Sequence, residues 1–279
     1  MVSFIRKNKE EVLQVNREEE LYYLTFPSFS RTGLVNHMFT TRLGGVSQGI
    51  YATMNLSFNR GDEEAAVLEN FRRVAHIMDG NVEDMVLSDQ THTTNIRKVT
   101  EEDMGKGICK LKDYADVDGL VTAKKGIILG CFFADCVPLY FLDTNKKVIG
   151  LAHSGWRGTV NGMGRKMITF MEQEYGCRKE DIIAAIGPSI CRDCYEVSED
   201  VADLFSREFG PRVLTMGKTD GKYQLDLWKA NELVLQSAGL CEEQISVTDI
   251  CTCCNSTLLF SHRASMGKRG NLGAFMSLR

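Results

Sequence analysis

At 279 residues, 43% hydrophobic and 25% charged, the chain is long enough to bury a large core and short enough to form one unit, so residues 1–279 are expected to be a single compact domain. Its 33 Lys and Arg are outnumbered by 37 Asp and Glu, for a net charge of −4, which leaves no basic footprint for nucleic acid or an anionic membrane. The N-terminal segment turns charged within its first residues and lacks the apolar run a signal peptidase needs, so the ten cysteines are expected to be mostly thiols in a cytoplasmic protein.

In chain order, LYYLTF (Leu21 to Phe26) is the first run of branched and aromatic residues that reads as a strand. A helix is predicted over Glu63 to Met78, where apolar residues recur at three- and four-residue spacing. Strand-like runs follow in GIILGCFF, PLYFL and KVIGLAH, between Gly126 and His153. The whole apolar stretch Gly126 to Leu142 carries Asp135 and Pro138 and falls short of the ~20 clean residues of a membrane span. Helical spacing returns over Val160 to Tyr175, IIAAIG reads as a strand, and helices are predicted over Ser198 to Phe209 and Leu227 to Ala238. Ser198, followed by Glu199 and Asp200, suits a capped start. Strands that alternate only in part with helices predict an α+β (mixed α/β) architecture, with mixed β-sheets flanked by helices. Neither a dinucleotide-binding glycine motif nor a P-loop is present.

Three residues form a candidate metal set. His153 ends KVIGLAH at the carboxyl end of a predicted strand, Cys136 follows another in FFADCVP, and His92 lies in the polar stretch SDQTHTTN. In FFADCVP, Pro138 is expected to break regular pairing and turn the thiol toward a cleft. Two imidazoles and a thiolate suit zinc, and three ligands leave a fourth tetrahedral position open. Singly, each residue more often packs or hydrogen-bonds, and their spacings match no local metal motif. Cys109, Cys131, Cys177 and Cys241 read as core filler. Cys191-Arg-Asp-Cys194 and Cys251-Thr-Cys253-Cys254 admit a second, structural zinc site, a redox pair, or a strand with Cys251 and Cys253 on one face and Cys254 on the other. The strand is the preferred reading.

A longer set of motifs carries a family resemblance. FTTRLGGVS (Phe39 to Ser47), MNLSF, SDQTHT, DVDGLVT (Asp116 to Thr122) and FFADCVPL occur in that order. They are followed by AHSGWRGTVNGM (Ala152 to Met163), IGPSICRDCYEV (Ile186 to Val197), DICT and LFSHRASMGKRGNLGAF (Leu259 to Phe275). In these the chain resembles the laccase-domain, or polyphenol-oxidase-like, proteins. The resemblance implies purine nucleoside phosphorylase and adenosine deaminase activity on adenosine, inosine, guanosine and methylthioadenosine. It also implies His92, Cys136 and His153 as zinc ligands, a fold similar to a deamidating-toxin-like cysteine hydrolase, and a monomer.

Phosphorolysis needs cations on phosphate, and Arg42 beside Gly44 and Gly45 is the first candidate, with Arg157, Arg263 and Arg269 after it. Asn55, Ser57 and Gln90 are candidate hydrogen-bonding partners of ribose or base, and Asp135 is the acid nearest to Cys136 in sequence and a candidate proton shuttle. Copper at a polyphenol site is disfavoured, because a laccase needs many histidines and there are five, with His37, His76 and His262 poorly placed to complete a cluster. The alternatives are a hydrolase or deamidase with Cys136 as nucleophile and His153 or His92 as base, and a zinc-bearing scaffold without turnover.

Overall fold

The computed structural model describes residues 2–8 and 11–279. It runs through β1 (Gln14–Glu18), β2 (Leu21–Thr25), α1 (Pro27–Ser30), β3 (Val35–Thr40), α2 (Glu64–Ile77), β4 (Met85–Leu87), β5 (Ile96–Lys98), β6 (Gly119–Thr122), β7 (Ile128–Phe133), β8 (Val137–Asp143) and β9 (Val148–Ser154). It continues through α3 (Trp156–Val160), α4 (Met163–Tyr175), β10 (Ile182–Ile186), β11 (Glu196–Ser198), α5 (Glu199–Phe209), β12 (Leu214–Met216), β13 (Lys222–Leu225), α6 (Leu227–Ser237), β14 (Ile245–Val247) and β15 (Leu272–Leu278).

Alternation along the central strands creates separate cores. In β8, Leu139 and Phe141 join one apolar cluster while Tyr140 and Leu142 join another. One six-stranded mixed sheet has the order β1-β2-β3-β15-β7-β4, a second has β14-β10-β8-β9-β6-β5, and β11-β13-β12 forms a small antiparallel sheet. The two large sheets face each other across Leu129, Cys131, Phe133, Tyr140, Leu151 and Met276. On its outer side the first packs α2 through Val67, Phe71 and Val74, and the second packs α4 and α6 through Met167 and Leu235, while α5 lies against the small sheet and α3. The result is a helix–sheet–sheet–helix stack, the α+β architecture with mixed sheets and flanking helices. Each fully buried Leu or Phe at these faces contributes about 1.5–3 kcal/mol.

Several local readings are corrected: of the four cysteines read as core filler, Cys131 and Cys177 are buried but Cys109 and Cys241 are exposed. The helix expected over 160–175 is two, because Gly162 at φ +72° separates α3 from α4. Cys251 to Cys254 is not a strand: Cys251 makes one isolated bridge to Ser189, and the amides of Cys254 and Asn255 then turn back onto its sulfur and carbonyl. Pro138 does not break pairing, for it sits opposite His153 in β8 and its carbonyl accepts from Gly187 N–H at 2.8 Å. Ser198 stands at the α5 N-cap without a side-chain cap, whereas the Asp226 side chain caps α6 through Lys229 N–H. Among the described residues, no helix is long and apolar enough to cross a membrane.

Candidate active site and metal centre

Strand β9 delivers His153 one residue before its end, buried at 3% exposure. Its antiparallel neighbour β8 begins directly after the turn Ala134 to Cys136. In that turn it is Asp135, at φ +92°, that reverses the chain and presents Cys136 to the site. His92 lies in the loop beyond β4 at φ +67°. Both are left-handed conformations that a non-glycine residue holds only where its surroundings fix it. The ligand atoms of His92, Cys136 and His153 all lie within 4.8 Å of one another, with the two imidazole rings edge to face at 4.9 Å between centroids.

The fixing agent is Asp118, a fully buried carboxylate just ahead of β6. It accepts from the backbone N–H groups of Thr91 (3.2 Å), His92 (3.2 Å) and Thr93 (2.8 Å), and from the Thr93 hydroxyl at 2.9 Å. Its other contact is His153 Nδ1 at 2.8 Å, which leaves Nε2 for a metal; a ligating imidazole commonly carries such a carboxylate partner. Burial alone would push the Asp118 carboxyl up, but the His153 contact and the Thr93 hydrogen bonds hold it below its ordinary value. Burial would likewise raise the Cys136 thiol, yet His153 and His92 outweigh it and bring it down to about 6. His153 is raised to about 9 against its burial, by Cys136 and then Asp118.

The three donors fit a single ion with a position left open. A Cβ added at Gly155 would stand 3.0 Å from the His92 ring and 3.2 Å from Cys136 Sγ, so the absence of a side chain there keeps the ligand cluster uncrowded. The trio opens into a cleft of about 380 Å³, within the range of small-ligand sites. Phe58, Phe71, Phe132 and Phe133 supply apolar walls, and Ser57, Gln90, Lys112, Arg60 and Arg269 supply polar ones. Arg269 is pushed down to about 10 by its burial and then by the charge of Arg60. Among the described residues neither arginine makes an ion pair with a carboxylate, and Arg269 Nε is buried without a partner.

Ser57 and Gln90 line the cleft, although both Gln90 amide atoms are already used, clamping the backbone of Phe132. Arg42, Asn55, Arg157 and Arg263 do not line it. Arg42 donates to the carbonyls of Ala52 and Ser256 and covers the Phe260 ring; it borders a neighbouring cavity of about 250 Å³ that shares Arg269 with the cleft. Asn55 is fully buried, bonded to Asp62 and to Asn271 N–H. Arg157 lies over Trp156, and Arg263 lies over Tyr195 while donating to the carbonyls of Cys194 and Glu196. Both carboxylate oxygens of Asp135 are engaged, by Thr252 Oγ1 and by Arg263 N–H, each at 2.7 Å. Sequence reasoning passed over Asp118, Arg60 and Lys112. Asp118 lies inside the quoted DVDGLVT motif, where an acid flanked by a glycine at a strand start was a readable signal; Arg60 carried none.

Residues 36–279 match the family model described as "Multi-copper polyphenol oxidoreductase laccase". The chain belongs to this laccase-domain family. It is 38% identical over 243 residues to purine nucleoside phosphorylase YlmD of Bacillus subtilis (strain 168), covering 86% of this chain and 87% of that protein. It is 32% identical over 229 residues to adenosine deaminase RL5 of an unknown prokaryotic organism, covering 81% and 87%. The crystal structure of YlmD from Geobacillus stearothermophilus superposes with a TM-score of 0.88 at 34% identity, covering 97% of this chain and all of that one. This laccase-domain chain brings two groups of metal-type donors together. The His92, Cys136 and His153 group and an all-sulfur group are the two candidate metal clusters among the described residues.

Proposed function

We propose that this chain is a cytoplasmic, zinc-dependent purine nucleoside phosphorylase with adenosine deaminase activity, residues 1–279 forming one catalytic unit. The names of its relatives support the substrate class. The observation that carries the reading is the pairing, in one cleft, of a three-donor metal site with two arginines that lack carboxylate partners.

In this reading Arg60 and Arg269 hold phosphate, since guanidinium forks bind its oxygens bidentately and their mutual repulsion is relieved by an anion. The phenylalanine walls take the flat purine, and the Ser57 hydroxyl serves the ribose. The C1′–N9 bond breaks with its electron pair passing to the purine, which takes up the proton that hydrogen phosphate gives up as one of its oxygens bonds to C1′. In deamination, water adds at C6 and ammonia leaves. When held by His92, Cys136 and His153, zinc supplies Lewis acidity toward the leaving base and toward water. Asp118 orients both histidines, and Asp135 acts as a positioning residue that sets Cys136 through the turn it occupies.

The test is product analysis of adenosine and inosine with and without phosphate, using wild type and Cys136→Ala. Phosphate-dependent release of adenine or hypoxanthine with ribose 1-phosphate, lost in the variant, supports the phosphorylase; inosine formed from adenosine without phosphate supports the deaminase. No turnover by folded, zinc-loaded protein sinks the proposal. One geometric fact favours a second reading: Cys136, His153 and Asp118 also form a thiol–imidazole–carboxylate series, the arrangement of a Cys hydrolase. Activity indifferent to chelator but abolished by alkylation of one thiol would select that reading.

A further inference from the structure

Cys191 and Cys194 lie on the turn between β10 and β11, and Cys251 and Cys254 open the long turn region between β14 and β15. Their four sulfurs all lie within 4.8 Å of one another. Cys254 Sγ stands 3.5 Å from Cys194 Sγ and 4.0 Å from Cys191 Sγ. Sulfurs at about 2.3 Å from a tetrahedral zinc are about 3.8 Å apart, so these separations fit one ion held by four thiolates; a multi-iron cluster would spread its cysteines more widely. Disulfides are not formed, for all ten cysteines are free. The Cys251 sulfur accepts from Cys191 N–H at 3.2 Å and from Cys254 N–H at 3.4 Å, contacts that stabilise a thiolate. Cys191 and Cys251 are buried and Cys194 and Cys254 half-buried, and four thiolates fill a tetrahedral ion's positions, leaving none for a substrate.

We propose that Cys191, Cys194, Cys251 and Cys254 bind a structural zinc ion, separate from the cleft. Four thiols bind it with release of their protons and no change of oxidation state. The ion would staple two turns that otherwise meet through the Ser189–Cys251 bridge and a few local contacts. These same turns hold Asp135: Ile190 N–H donates to its carbonyl at 3.0 Å and Thr252 to its carboxylate at 2.7 Å. The site therefore steadies the turn that presents Cys136.

Elemental analysis of the full-length protein after expression with zinc decides the matter. Two zinc ions per chain are expected in wild type, one in Cys136→Ala, and one in Cys194→Ser/Cys254→Ser. Cobalt substitution of Cys136→Ala should give the charge-transfer intensity of a tetrathiolate. One zinc in wild type with none in Cys136→Ala, a cobalt spectrum of fewer than four thiolates, or thiol titration showing two oxidised pairs after anaerobic purification would each overturn the proposal. If the double serine variant does not fold, the cobalt spectrum of Cys136→Ala still decides.

Discussion

Two clusters of metal-type side chains flank Asp135, and they are built for opposite purposes. His92, Cys136 and His153 come from a loop, a turn and a strand end and open on a cleft, and one buried carboxylate orients the two histidines. Cys191, Cys194, Cys251 and Cys254 come from two turns, and the Cys251 sulfur takes its hydrogen bonds from backbone amides. A site with three ligands gives up closure for access, while a four-sulfur site gives up access for cross-linking. Donor count and the partners of the donors, a carboxylate on His153 and backbone amides on Cys251, more than burial, distinguish a site that reacts from one that holds.

The largest test of that contrast is Cys136→Ala. Turnover is expected to fall more than about 10³-fold, beyond the about 10–100-fold that outer-shell changes cost, with the melting temperature little altered. Breaking the sulfur cluster should do the reverse. In Cys194→Ser/Cys254→Ser, lost zinc is expected to lower the melting temperature by calorimetry, each kcal/mol of lost stability being worth about 2–4 °C in a chain of roughly this size. In the wild type, chelator should strip the open site well before the closed one.

His37 provides a control remote from both clusters. Buried at 6% exposure, it accepts Phe26 N–H on Nε2 at 2.8 Å, and burial, then the Arg279 charge, lower it to about 4. The unfolded chain takes up this proton near pH 6.5 and the folded chain only near 4. Stability therefore rises with pH across that window and is lost as pH falls through it, by about 3 kcal/mol. Chemical denaturation of His37→Gln between pH 4 and 7 should show a flatter acid limb; an unchanged limb would show that His37 does not set the acid sensitivity. The smallest expected effect is Asp118→Asn, at about 10–100-fold in metal affinity or activity. An effect as large as that of Cys136→Ala would make Asp118 part of the chemistry.

Much of the fold could be read from sequence, because strands such as PLYFL and KVIGLAH and helices such as Glu64–Ile77 carry their burial pattern locally. The break at Gly162 was harder to see, since apolar spacing continues across a residue whose backbone turns left-handed. The motif order led to the family, and the three residues named as metal ligands converge in space. The arginines were less legible. Arg42, Arg157 and Arg263 spend their guanidinium groups on carbonyls and rings, while Arg60, with no motif around it, lines the cleft.

By itself, then, the sequence determined composition class, most elements, the family and the residue types able to hold a metal, since each is written in local pattern or ordered motif. Only the tertiary structure decided which polar groups are already satisfied. It tied Asp135 to Thr252 and Arg263, made Asp118 the partner of both histidines, and folded two distant cysteine pairs into one cluster. The reason is physical: a side chain's role depends on the partners it finds across the fold, and hydrogen bonds between residues 117 or 128 positions apart leave no period in the chain.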